Sequence, residues 1–101
     1  MIKCYYFSMI HIFQKTSKEI NRIIAGNVVN LRKRKKISQK ELSKRSGVSY
    51  ASIRRFEEEG EISLSSLSKI AIALGASDEL EMLFTEVPFE SIEEIINGQS
   101  K

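Results

Sequence analysis

The stretch Ile37-Ser38-Gln39-Lys40-Glu41-Leu42-Ser43-Lys44-Arg45-Ser46-Gly47-Val48-Ser49-Tyr50-Ala51-Ser52-Ile53-Arg54-Arg55-Phe56-Glu57 decides the fold. Ser38 followed three residues later by Glu41 is a capping-box pattern, opening a short helix that Gly47 stops. Ser49 is placed to cap a second helix, from residue 50 to about 59. Leu42, Val48, Ile53 and Phe56 are spaced to pack these two helices together at a wide angle. A turn of three or four residues containing a glycine is what such a helix pair requires. The second helix then turns Tyr50, Ala51, Arg54 and Arg55 outward. That face is cationic and has a small residue near its N-terminal end, so it can enter a groove about 12 Å wide. Its N-terminus also offers backbone N–H groups to phosphate.

Working outward, Thr16-x-x-Glu19 is another capping box. After it, Ile20, Ile23, Ile24, Val28 and Leu31 recur at three- and four-residue steps, which predicts one apolar helical face. This helix is expected to run to about residue 35 and to finish in Arg32-Lys33-Arg34-Lys35-Lys36. Cations suit the negative end of the helix dipole, but five in succession exceed what capping needs. Downstream, Ser63 caps a fourth helix with Leu64, Leu67, Ile70, Ala71 and Leu74 as its buried stripe before Gly75. Ser77 is expected to cap a fifth short helix carrying Leu80, Leu83 and Phe84. Pro88 breaks the chain, and Ser91-x-x-Glu94 begins a last short helix through Ile92, Ile95 and Ile96. The fold class is all-α: five helices, a short C-terminal helix and an N-terminal arm.

Composition fits one small domain with tails. The 101 residues are 42% apolar and 29% charged, with a mean hydropathy of -0.21. A single cysteine, Cys4, excludes an internal disulfide framework, and with one histidine, His11, it leaves no Cys/His set for structural zinc. His11 reads as a bystander and not as a ligand. Net charge is +3, but residues 1–56 carry 14 Lys/Arg against two acids and residues 57–101 carry two Lys against eleven acids. A cationic half suggests a polyanion, and the acidic half suggests a different neighbour. Residues 1–15 are apolar and aromatic, and residues 4–13 are far short of the ~20 needed to span a bilayer. They are an extra strand or arm, a contact surface, or sequence upstream of a start at Met9 or later. Three segments follow: 1–15 as an arm, 16–84 as the helical domain, 85–101 as a tail. No nucleophile set, Gly-rich phosphate loop or metal cluster is present in the sequence, so no enzyme, cofactor or metal site is expected.

The run from Ile37 to Ser49, with Ile53-Arg54-Arg55-Phe56-Glu57, resembles the Cro/cI-type (xenobiotic-response-element) helix-turn-helix regulators. Ile62-Ser63-Leu64-Ser65-Ser66-Leu67-Ser68-Lys69-Ile70-Ala71-Ile72-Ala73-Leu74-Gly75 is similar to that family's fourth helix. The resemblance implies that Tyr50, Ala51, Arg54 and Arg55 read base edges. Arg55 is the best single candidate, because Arg paired with guanine O6/N7 is the commonest specific contact. Tyr50 departs from the small polar residue often found there, so it or Ala51 could meet a thymine methyl. Gln39 would bond a phosphate and steady the recognition helix, and Ser49, Ser52, Lys35, Lys36 and Lys40 are further phosphate candidates. Arg32 and Glu57 would form a structural ion pair across the domain. Ser43 departs from the family's Ala, and its hydroxyl is expected to bond back to a carbonyl one turn earlier. The acids Glu57, Glu58, Glu59 and Glu61 are expected to face away from DNA or to border a partner surface.

The resemblance implies a cytoplasmic, sequence-specific transcriptional repressor binding a palindromic operator as a homodimer, with half-sites about 34–36 Å apart. Dimer contacts would come from the Leu80-Leu83-Phe84 helix with the tail, or from the N-terminal run. Arg55-Phe56-Glu57, Gly60-Glu61-Ile62-Ser63-Leu64, Asp78-Glu79-Leu80 and Leu83-Phe84 also resemble regulators encoded beside HipA-type kinases, where the small protein is an antitoxin. The competing class is an adaptor, or an antitoxin that neutralises a kinase-like toxin without specific DNA binding of its own.

Overall fold

A reciprocal capping box starts the first helix. Thr16 Oγ1 accepts from the Glu19 N–H at 3.1 Å, and Glu19 Oε1 accepts from the Thr16 N–H at 2.7 Å. The computed structural model is described over residues 14–86. Five helices lie there: α1 (Ser17–Arg34), α2 (Gln39–Ser46), α3 (Tyr50–Glu59), α4 (Leu64–Ala73) and α5 (Ser77–Glu81), with no strand among the described residues. Residues Lys15–Met82 form one unit in which α1 packs on α3, α2 packs on both α3 and α4, and α5 packs on α4. The last short helix expected from Ser91 and the N-terminal arm lie outside the described residues.

The core is small and continuous. Leu42, Ile53, Phe56 and Ile70 are completely buried, joined by Ala25, Ile37, Val48 and Leu74. Each large apolar side chain so buried contributes about 1.5–3 kcal/mol relative to exposure. Serine side chains at Ser38, Ser49 and Ser63 each accept the N–H three residues on, stopping the chain from fraying at the start of α2, α3 and α4. The capping box expected at Ser38 is only half formed. Glu41 Oε2 accepts from Arg45 Nε at 3.0 Å, one turn along α2.

Two apolar faces differ from the sequence expectation. Ile20, Ile23 and Ile24 are exposed, and the side of α1 that faces the core runs through Asn21, Ala25, Val28 and Arg32. The reason is close approach: a Cβ on Gly60, at the end of α3, would lie 3.0 Å from the Asn21 backbone carbon. Asn21 at the point of approach and Ala25, 2% exposed, one turn on keep that contact close. Leu64, the first residue of α4, is 68% exposed, so the buried stripe of that helix starts at Leu67.

The helix ends explain a third difference. At the end of α4 the Gly75 N–H bonds Ile72 O at 3.1 Å and the Ala76 N–H bonds Ala71 O at 2.8 Å, with Gly75 in the left-handed region. This closure makes Ala76 the cap of α5, with no side-chain cap, and Ser77 its first helical residue. The helix stops at Glu81, so Leu83 and Phe84 lie beyond it, and Phe84 has a φ of 63° that no right-handed helix accommodates.

Candidate nucleic-acid interface

The helix pair α2–α3 is held by its turn. Gly47 adopts φ 78° and its N–H reaches Ser43 O at 2.9 Å, ending α2. Val48 is buried, anchoring the turn in the core. Ser46 Oγ accepts from the Val48 N–H at 3.1 Å, and Ser43 Oγ donates to Val48 O at 2.6 Å. Ser43 therefore bonds forward across the turn and not back along its own helix. Carbonyls one turn earlier already serve the α2 ladder, whereas Val48 O lies outside both helices.

On α3, six of the seven exposed residues fall into two ridges at four-residue spacing, Ser52 being the seventh. One runs Tyr50, Arg54, Glu58 and the other Ala51, Arg55, Glu59. The N-terminal turn presents Tyr50 and Ala51, the middle presents two cations, and the end presents two acids. Lys40 Nζ stands 5.8 Å and the Arg54 guanidinium 5.9 Å from the Tyr50 ring centre, so two cations lie within cation–π range of one ring. Arg54 Nη2 donates to Glu58 Oε2 at 3.2 Å, and Arg55 Nε donates to Glu59 Oε1 at 3.4 Å. The hydrogen bond and charge of Glu58 push the Arg54 guanidinium further above its already high pKa. Glu58 and Glu59 thus share their ridges with the base-reading candidates and do not face away from them. That pairing was legible as two Arg-x-x-x-Glu spacings.

Ser49 Oγ is occupied by its capping bond from the Ser52 N–H at 3.1 Å and donates to Ser52 Oγ at 2.8 Å. Arg55 and Ser52 also line an open cleft between α3 and the start of α4, beside Glu61, Ser63 and Ser66.

A buried polar knot sits behind this surface. Arg32 grips Glu57 in bidentate fashion, Nε to Oε2 at 2.8 Å and Nη2 to Oε1 at 3.0 Å. Its Nη1 donates to Ile37 O at 2.8 Å, and Gln39 Nε2 donates to Glu57 Oε1 at 2.7 Å. Every buried side-chain polar atom among the described residues has a partner, so the buried pair leaves no group uncompensated. Gln39, expected to steady the recognition helix, is thereby tied to the end of α3 through Glu57, a partner the sequence did not name; an amide has a second N–H with which to meet a phosphate. In contrast, Lys33, Arg34, Lys35, Lys36 and Lys40 are exposed, and among the described residues no ion pair neutralises them.

A short helix, a glycine turn and a second helix with an exposed cationic N-terminal half together define the helix-turn-helix class. The helix-turn-helix family model matches residues 29–80, from the second half of α1 into α5. The chain belongs to that family, of the Cro/cI type, and is by membership a DNA-binding transcription regulator. No curated protein and no solved structure matches it at a significant level. Among the described residues no cluster of His, Cys, Asp or Glu could hold a metal ion, and no helix is long and apolar enough to cross a membrane.

Proposed function

We propose that the protein is a sequence-specific, autoregulatory repressor that occupies operator DNA as a cytoplasmic homodimer. The observation that carries this reading is the division of labour around α3. Tyr50, Ala51, Arg54 and Arg55 are exposed together on its outer face, while the exposed cations at 33–36, at the end of α1, and Lys40, beside Tyr50, stand in no ion pair among the described residues. The first group suits base edges; the second suits phosphates, with Gln39, Ser49 and Ser52 as polar neighbours. A ten-residue helix reads only a few base pairs, so useful specificity calls for two copies on a pseudo-palindrome. The finer likeness to partners of HipA-type kinases rests on sequence alone, and nothing in the fold adds to it.

The test is enrichment from a random duplex pool, followed by fluorescence anisotropy on the enriched duplex, on the DNA upstream of the protein's own gene, and on shuffled controls. The expected result is a two-fold-symmetric site preferred by about 10³-fold or more. Arg55→Ala then removes most of the preference, whereas Lys35→Ala weakens all duplexes evenly and lowers the salt slope by about 0.9. Equal binding to every duplex would instead favour an adaptor without a DNA site of its own. Enrichment elsewhere but not upstream of the gene would remove autoregulation alone.

A further inference from the structure

Helix stability does not explain the acids that end α3. A helix C-terminus carries partial negative charge, which cations stabilise and anions do not. Yet Glu57, Glu58 and Glu59 fill the last turn of α3 and no basic residue does. The order within the pairs is also the weaker one: a Glu preceding its cation by four residues suits a helix, and here Arg54 and Arg55 come first. Glu57 has a structural task, holding Arg32 and Gln39. Glu58 and Glu59 have none: their side chains are 61% and 56% exposed, and their ion pairs are with the two arginines on the DNA-reading ridges.

We infer that Glu58 and Glu59 are specificity-determining positioning residues, which aim Arg54 and Arg55 at guanine edges and withhold them from phosphates. This rests on the DNA-binding reading above. The atoms engaged decide the consequence. Glu59 takes the Nε–H of Arg55, leaving both Nη groups to meet guanine O6 and N7 end-on while the pair stays intact. Glu58 takes one Nη of Arg54, and the Tyr50 ring flanks the same guanidinium, so its plane is held from both neighbouring turns. A matched guanine therefore meets an arginine already oriented. A phosphate is attracted by net charge, and it meets an arginine whose charge is offset by a carboxylate one turn away. General attraction to DNA falls to the cations at 33–36 and to Lys40, which stand in no ion pair among the described residues.

The test compares Glu58→Gln/Glu59→Gln with Glu79→Gln/Glu81→Gln, which changes net charge equally on α5. Both are measured against the wild type on the enriched and shuffled duplexes across a salt series, with thermal melting as the check on folding. For the first variant we expect the preference for the enriched duplex to fall about tenfold, chiefly through tighter binding to shuffled DNA. Its salt slope on shuffled DNA should steepen by about 0.9 for each arginine released to a phosphate. Replacing guanine by 7-deazaguanine in the enriched duplex removes N7, and the resulting loss should be smaller in this variant than in the wild type. The α5 variant should keep the wild-type preference. Parallel shifts on both duplexes, or equal behaviour of the two variants, would overturn the proposal while leaving the DNA-binding reading intact. A wild type that enriches no sequence would end both. If the double variant does not fold, Glu59→Gln alone carries the same comparison at Arg55.

Discussion

Helices α1 and α3 are tied together by Arg32 and Glu57, yet they end in opposite ways. α1 runs out through Arg32, Lys33, Arg34 and Lys35, and its left-handed residue is Lys36 at φ 59°. α3 runs out through Glu57, Glu58 and Glu59, and its left-handed residue is Gly60 at φ 80°. Both ends need a backbone that L side chains rarely adopt. At Gly60 a Cβ would press on the Asn21 backbone at 3.0 Å, so glycine is favoured by both conformation and space. Lys36 is exposed, so a lysine fits there at the cost of strain, and a fifth consecutive cation is kept. The charges differ in the same sense. Beyond Arg32, which Glu57 holds, the cations at residues 33–36 agree with the helix dipole and stand in no ion pair among the described residues, whereas each acid at the end of α3 has an arginine to hold it. On the reading proposed here, the first end attracts any polyanion and the second discriminates.

Glu57→Ala is the hardest test of this contrast. It leaves Arg32 buried without its carboxylate and removes the acceptor of Gln39, so a loss of about 3 kcal/mol is expected in urea unfolding. An unchanged midpoint would mean that the two helix ends are not coupled through this pair. Gly60→Ala should cost about 2 kcal/mol from left-handed strain and the close contact with α1. The matching change at the other end has the opposite sign. Lys36→Gly should raise stability by about 0.5–1 kcal/mol while weakening binding to every duplex, so melting and anisotropy move in opposite directions. A stability loss there would show that the lysine side chain supports the fold.

The smallest effect lies at the start of α1, where an acid agrees with the dipole. The Thr16 backbone N–H bonds the Glu19 carboxylate and lowers its pKa from the ordinary value. The stability this bond supplies is complete above about pH 4.3, the ordinary glutamate value, and is lost as pH falls through the lower folded value. Glu19→Gln should therefore be slightly less stable than the wild type near neutral pH, and the gap should close in acid. A gap that persisted in strong acid would assign the effect to something other than the charge.

The helix boundaries were legible because their signals are local: Thr16, Ser38, Ser49 and Ser63 each cap through the N–H three residues on. Ser77 failed because a backbone closure, Ala76 N–H to Ala71 O, took over the position before it. The isoleucines of α1 misled for another reason. Periodicity shows that a helix has an apolar side, but which side a neighbour takes depends on how closely the two backbones approach. In the site, the exposed set Tyr50, Ala51, Arg54 and Arg55 followed from the spacing of Ile53 and Phe56 inward. The link from Gln39 to Glu57, eighteen residues apart, had no local signal.

What the sequence determined alone is everything that acts within one turn of helix: caps, stops, the inward face of α3, and the four-residue spacings that pair Arg54 with Glu58 and Arg55 with Glu59. Tertiary structure decided what acts between elements. Packing of α1 on α3 set which side of α1 is buried, brought the Asn21 backbone against Gly60, and gave Glu57 a buried partner while its two neighbours stayed in solvent. Three consecutive glutamates are alike in sequence; they differ because a helix turns each by 100°, and only one direction meets Arg32.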